Sequence, residues 1–158
     1  MGFFTKTKGS IISDAFKLVE AHANLQENLM YDVALYGDHL TIKLPFGGKQ
    51  QTTLKYSQIT DVFYGQQTEI KKVNKSAIGR AVAGGLLFGG VGAVVGAVSG
   101  IGKKDKKKRH FYFIISYTSS AGEEKFIQFE DTRLYRGTKV AAKLRELCNI
   151  TVSNHVEL

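Results

Sequence analysis

AIGRAVAGGLLFGGVGAVVGAVSGIG, residues 77–102, is the stretch on which the reading of the fold turns. No charged side chain occurs from Ala81 to Gly102, and more than half of the chain's glycines fall between Gly79 and Gly102. Small residues recur at every fourth position: Ala77, Ala81, Gly85 and Gly89, then Gly92, Gly96 and Gly100. On a helix that spacing collects them on one face, where a second helix can approach to backbone contact. Leu86, Leu87, Phe88, Val91, Val94, Val95 and Val98 lie between these ridges. Glycine inside a helix in water costs about 1 kcal/mol per residue against alanine. Close packing, lipid, or both must offset that cost.

The two rows of small residues are out of phase, and the break falls at Gly89-Gly90. A glycine pair is a common turn point. The stretch therefore reads as two short helices, about 77–88 and 91–101, folded into a hairpin. One continuous helix of this length would reach roughly 37 Å, enough to cross a bilayer, whereas each arm of a hairpin reaches only roughly 17 Å. Gly85, Gly89, Gly92, Gly96 and Gly100, with Leu86, Leu87 and Phe88, are the expected membrane or self-association contacts. A hairpin packed on its own domain is the competing reading.

Lys103-Lys104-Asp105-Lys106-Lys107-Lys108-Arg109 follows directly. The chain as a whole has 158 residues and a formal charge of +8, so an anionic partner is expected, either lipid headgroups or nucleic acid. A polybasic run beside an apolar segment attracts anionic lipid, so Lys103, Lys104, Lys106, Lys107, Lys108 and Arg109 are the expected lipid contacts. The run would also serve as the positive flank of an inserted segment. Its plainest alternative role is to solubilise the insert. Nucleic acid is the weaker expectation, because Phe111, Tyr112, Phe113 and Tyr117 alternate like sheet residues rather than forming a stacking platform.

Around the insert the period changes from element to element. Ser10 to about Ala23 is predicted to be helical, with Ile12, Ala15, Phe16 and Val19 on one face and Ser10 as cap. Asn24–Asn28 is a polar break. Strands are predicted at Met30–Leu35, His39–Leu44, Thr52–Tyr56, Ile59–Tyr64 and Gln67–Val73, then at Phe111–Thr118 and Lys125–Glu130. Gly37-Asp38 and Ser119–Gly122 make tight turns, and Pro45 ends its strand. Thr132 to about Cys148 is predicted as an amphipathic helix, with Leu134, Val140, Ala141, Leu144, Leu147 and Cys148 facing inward. Arg133, Arg136, Lys139, Lys143 and Arg145 lie largely off that face. Residues 151–158 read as a short tail.

This order resembles the pleckstrin-homology (PH) superfold, including its GRAM-like and bacterial PH-like members. Thr52–Gly65 (TLKYSQITDVFYG) is similar to the bacterial PH-like strand pattern. Ser76–Gly100, followed by lysines and an aromatic strand, is similar to the glycine-zipper insert of small bacterial and phage PH-like proteins. The resemblance covers about residues 30–150. It implies an α+β fold: an antiparallel sheet or partly open barrel capped by a C-terminal helix, here with an N-terminal helix and a helical hairpin insert. The expected organisation is an N-terminal helix and linker (1–28), a PH-like domain (29–150) interrupted by the hairpin and basic run, and a tail. The resemblance implies a binding or scaffolding module, often tied to membranes, and no catalysis.

The residues agree with that implication. His22, His39, His110 and His155 have no partner at metal-ligand spacing, so no metal or cofactor is expected. Cys148 falls on the apolar face of the last helix, with no His/Asn frame near it in the sequence. No phosphate loop is present. A single cysteine excludes an internal disulfide, in keeping with a reducing compartment. The N-terminal stretch has no apolar run long enough for a signal peptide, and Lys6 breaks the myristoylation motif. The expectation is a cytoplasmic, non-enzymatic, self-associating protein at the inner face of an anionic membrane. The alternative is a soluble module for an acidic protein or nucleic acid, with the hairpin buried.

Overall fold

The computed structural model describes residues 8–21, 25–45, 51–66, 110–133 and 137–150. Its frame is a seven-stranded antiparallel sheet in the order β4-β3-β2-β1-β7-β6-β5. The strands are β1 (Ile12–Ala21), β2 (Met30–Leu35), β3 (His39–Lys43), β4 (Gln51–Lys55), β5 (Ile59–Gln66), β6 (Phe111–Thr118) and β7 (Glu124–Asp131). Among the described residues a 3-10 turn, Tyr56–Gln58, joins β4 to β5, and an α-helix, α1 (Gly137–Leu147), follows β7.

The strands expected at β2, β3, β4, β5, β6 and β7 are present to within a residue or two. Their turn chemistry holds as well. Tyr36 N–H donates to the His39 carbonyl at 2.8 Å across Gly37-Asp38. Gly122 N–H donates to the Ser119 carbonyl at 2.9 Å, and Gly122 has φ +82°, a conformation that favours glycine. Gln67–Val73, read as a fifth strand, lies outside the described residues, as do the hairpin at 77–102 and the tail.

The expected α+β architecture requires correction at the N-terminus. Ile12–Ala21 is a strand, not a helix. It is the central strand, running antiparallel to β2 from Ile12↔Leu35 to Lys17↔Met30 and to β7 from Lys17↔Glu130 to Ala21↔Ile127. The helical reading leaves Leu18 off its apolar face, yet Leu18 is wholly buried. Phe16 and Leu18 alternate inward as a strand requires. Hydrogen bonds to strands on both sides, one of them β7 more than a hundred residues away, outweigh a local periodicity that suits either element. A register shift between Leu18 and Glu20 lets β1 bend from one half of the sheet to the other.

The core lies on the inner face of this curved sheet. Phe16, Phe113 and Phe129 stack there at tilted angles, with ring centroids 5.1 to 6.0 Å apart. Leu18, Tyr31, Val33, Leu40, Ile42, Ile115 and Ile127 pack around them. α1 covers this core with Val140, Ala141 and Leu144, packed against β1 and β5. Arg145 does not stay off the packed side. Its Nε donates to the Val62 carbonyl at 3.2 Å, satisfying a backbone group on the edge strand β5. Burial lowers the guanidinium pKa from its ordinary value, against the opposing effect of Asp61.

Cys148, just past α1, is half-buried. Burial pushes its thiol pKa up to about 11. Only the thiolate is nucleophilic, and its higher basicity offsets part of the loss, so reaction with a thiol reagent near pH 8 is expected to be about tenfold slower than for an ordinary cysteine. Labelling rates in buffer and in urea check this. Equal rates in the two would show that the thiol is not shielded.

Candidate functional site

The segment that carries the sequence-predicted site residues enters and leaves the fold at one place. β5 and β6 are neighbours, and their last paired residues are Gln66 and Phe111. Everything from residue 67 to His110 is therefore a connection between two adjacent antiparallel strands. Tyr64 stacks on Phe111 at this root, with ring centroids 5.9 Å apart. His110 stacks on Tyr112 and holds Glu130 across β6–β7, with Nδ1 2.6 Å from Oε1. Gly85, Leu86, Leu87, Phe88, Gly89, Gly92, Gly96 and Gly100 lie outside the described residues, and so do Lys103, Lys104, Lys106, Lys107, Lys108 and Arg109. What the structure places is their root.

Beside that root lies a sheet face that the sequence reading passed over. Strand side chains alternate, so the register divides β5, β6 and β7 into two faces. Val62, Phe113, Ile115, Tyr117, Ile127 and Phe129 point into the core. Phe63, Ile114 and Gln128 are aligned across the other face, as are Asp61, Ser116 and Phe126, and Gly65, Tyr112 and Glu130. This outer face is not a water-facing one. Tyr112, Ile114, Ser116, Phe126 and Gln128 are all buried, Ile114 and Ser116 completely. α1 lies on the other side, with the core. Burial also raises the Tyr112 phenol pKa, as does the nearby Glu130.

The signal for this face was in the sequence. FYFIISYT carries apolar side chains at successive positions, not only at alternate ones, and a strand buried on both sides reads that way. Phe126 likewise breaks the in/out pattern of β7. The other half of the outer face differs in chemistry. There Ser13, Ala15, Asp32, Ala34, Thr41 and Thr53 line up, all small or polar.

Polar groups frame the apolar centre. Thr60 and Ser116 hydroxyls are 2.8 Å apart at one end, with Glu124 3.5 Å from Ser116. The His110–Glu130 pair stands at the other. Gln128 is in the middle, and both its amide nitrogen and its amide oxygen are buried without a hydrogen-bond partner among the described residues. No group of three or more His, Cys, Asp or Glu among the described residues is placed to hold a metal ion. Among those residues no helix is long and apolar enough to cross a membrane. The arrangement offers a binding surface: an apolar patch, a central amide and a polar rim.

A family model described as a glycine zipper containing PH domain matches residues 19–129 of the sequence. The match begins within β1, ends within β7, and includes the whole connection from β5 to β6. No curated protein matches the chain.

Proposed function

The chain belongs to the family of glycine zipper containing PH domains, and from that premise we propose that it is a non-enzymatic membrane-associating module. It self-associates through the apolar insert and meets anionic lipid through the basic run. The observation that carries this reading is the common root of the two segments. Gln66 and Phe111 are paired neighbours, so the apolar stretch and Lys103–Arg109 are tethered to one end of one sheet. Arg109 is bonded directly to His110, which Glu130 anchors. A surface that takes up the insert therefore meets the basic run at the same time. Each basic residue near an anionic surface adds about 1 kcal/mol, and the two segments reinforce each other.

Replacing Lys103, Lys104, Lys106, Lys107 and Lys108 with Gln is expected to weaken binding to anionic vesicles by at least about tenfold, leaving the melting temperature unchanged. Wild-type binding should fall as salt rises, because the attraction is Coulombic. In the same vesicles, Gly92→Leu and Gly96→Leu are expected to reduce crosslinked assemblies, since larger side chains hold the packed backbones apart. Simple hydrophobic partitioning predicts stronger binding and undiminished assembly for these two variants. Equal binding to neutral and anionic vesicles would remove the lipid role of the basic run. Wild-type assembly by both leucine variants would remove the glycine interface.

A further inference from the structure

The buried outer face of β5–β7 calls for an occupant. Tyr112, Ile114, Phe126 and Gln128 are 7, 0, 4 and 1 % exposed, on the side of the sheet opposite to the core and to α1. We propose that this face is the seat of the chain's own glycine-rich segment, residues 77–102, in the free protein.

Three observations select that occupant. The first is tethering. The segment's covalent roots, Gln66 and His110, stand at the edge of this face, on the two strands that form it. The second is chemistry. Of the stretches outside the described residues, only the one between β5 and β6 contains a long uncharged apolar run, from Ala81 to Gly102. Its small residues let the backbone lie close against Phe63, Tyr112, Ile114 and Phe126, where larger side chains would hold it away. The third is reach. From Phe111 to Ser116 the face extends roughly 17 Å along β6. At about 1.5 Å per residue or more, residues 77–102 span that distance in any regular conformation.

The seat explains why two halves of one sheet differ. The β2–β4 half carries small and polar side chains outward, some buried (Ala34, Thr41) and some, like Thr53, exposed. The β5–β7 half carries aromatic and branched ones, as a covered face does. Docking on this face goes beyond the lipid reading and does not depend on it, because it concerns the protein before any membrane is met.

Photocrosslinking in lipid-free buffer tests the seat. Phe126→benzoylphenylalanine keeps an aromatic ring at the face, and Thr53→benzoylphenylalanine, on the exposed outer side of β4, reports background. Mixing isotopically heavy and light protein separates bonds within a chain from bonds between chains. The expected result is adducts from position 126 to residues 77–102 of the same chain, at least about fivefold above those from position 53. Adducts between chains would assign the face to a second copy and overturn the proposal. So would adducts to any other segment, or no excess over position 53. If the Phe126 variant does not fold, the half-exposed Phe63 carries the probe with the same outcomes. Vesicle binding is read separately, so either proposal can fail while the other stands.

Discussion

Leu144→Asp is expected to cost about 4–5 kcal/mol of stability. Leu144 is wholly buried and lies with Val140 and Ala141 on the side of α1 that covers the core. Among the described residues no Lys, Arg or His is buried in the core to pair with a carboxylate there. The aspartate must either take up a proton and stay as an unsatisfied polar group, or pull the helix off the sheet. Detachment would also break the bond from Arg145 to the Val62 carbonyl. A domain of this size has a total of roughly 5–15 kcal/mol to lose, so the variant should be partly unfolded at 37 °C. Urea denaturation followed by circular dichroism reads the effect. Ala142→Asp, at an exposed position on the same helix, should leave the midpoint nearly unchanged. If Leu144→Asp and Ala142→Asp melt alike, α1 does not close the core.

The second large effect is expected at Gly137, the first residue of α1. A Cβ added there would lie 2.6 Å from Phe16 Cε1, 2.8 Å from Tyr64 Cε2 and 2.9 Å from Asp131 Oδ2. None of the three can easily give way. Phe16 is fully buried between Phe113 and Phe129. Asp131 Oδ2 accepts from the Tyr64 hydroxyl at 2.6 Å and from Gly137 N–H at 2.7 Å, while its Oδ1 accepts from Arg133 N–H at 3.0 Å. The Gly137 bond satisfies one of the free N–H groups at the helix start, and the carboxylate suits the positive end of the helix dipole. Shifting the helix to relieve the clash would break this arrangement.

In an unhindered helix, replacing glycine with alanine gains up to about 1 kcal/mol. Here the sign should reverse. Gly137→Ala is expected to cost about 2 kcal/mol, and Gly137→Leu about 3 kcal/mol or more, in the range of overpacked cores. Thermal melts of the two variants, beside Asp131→Asn, check the account. Asp131→Asn keeps the shape of the side chain but weakens the charge-assisted bonds, so it should cost less than Gly137→Leu. A more stable Gly137→Ala variant would show that the contact has room.

How much of this was legible in the sequence depends on the range of the interaction concerned. The strand pairs at Met30–Lys43 and Phe111–Asp131 are joined by short turns whose residues specify them, so the sequence read them well. The inward face of α1 followed from the spacing of Val140, Ala141 and Leu144. The place of the glycine-rich insert, between an Ile/Val/aromatic strand and a strand of Phe, Tyr and Ile, was equally visible. Each of these signals is carried by residues a few positions apart, where period and turn chemistry act directly.

What only the tertiary structure decided rests on contacts between distant positions. Ile12–Ala21 carries apolar residues that suit a helix or a strand. Its hydrogen bonds to β2 on one side and to β7, more than a hundred residues away, on the other make it the centre of the sheet. Asp131 gains its role only when the fold brings Tyr64, Gly137 and Arg133 to its oxygens. Arg145 looked solvated until α1 docked beside the open edge of β5. The outer face of β6 existed only once its register with β5 and β7 put Phe63, Ile114, Gln128 and Phe126 side by side. Local periodicity tells which side chains share a face, but burial and hydrogen-bond partners are settled by whichever distant backbone arrives to meet them.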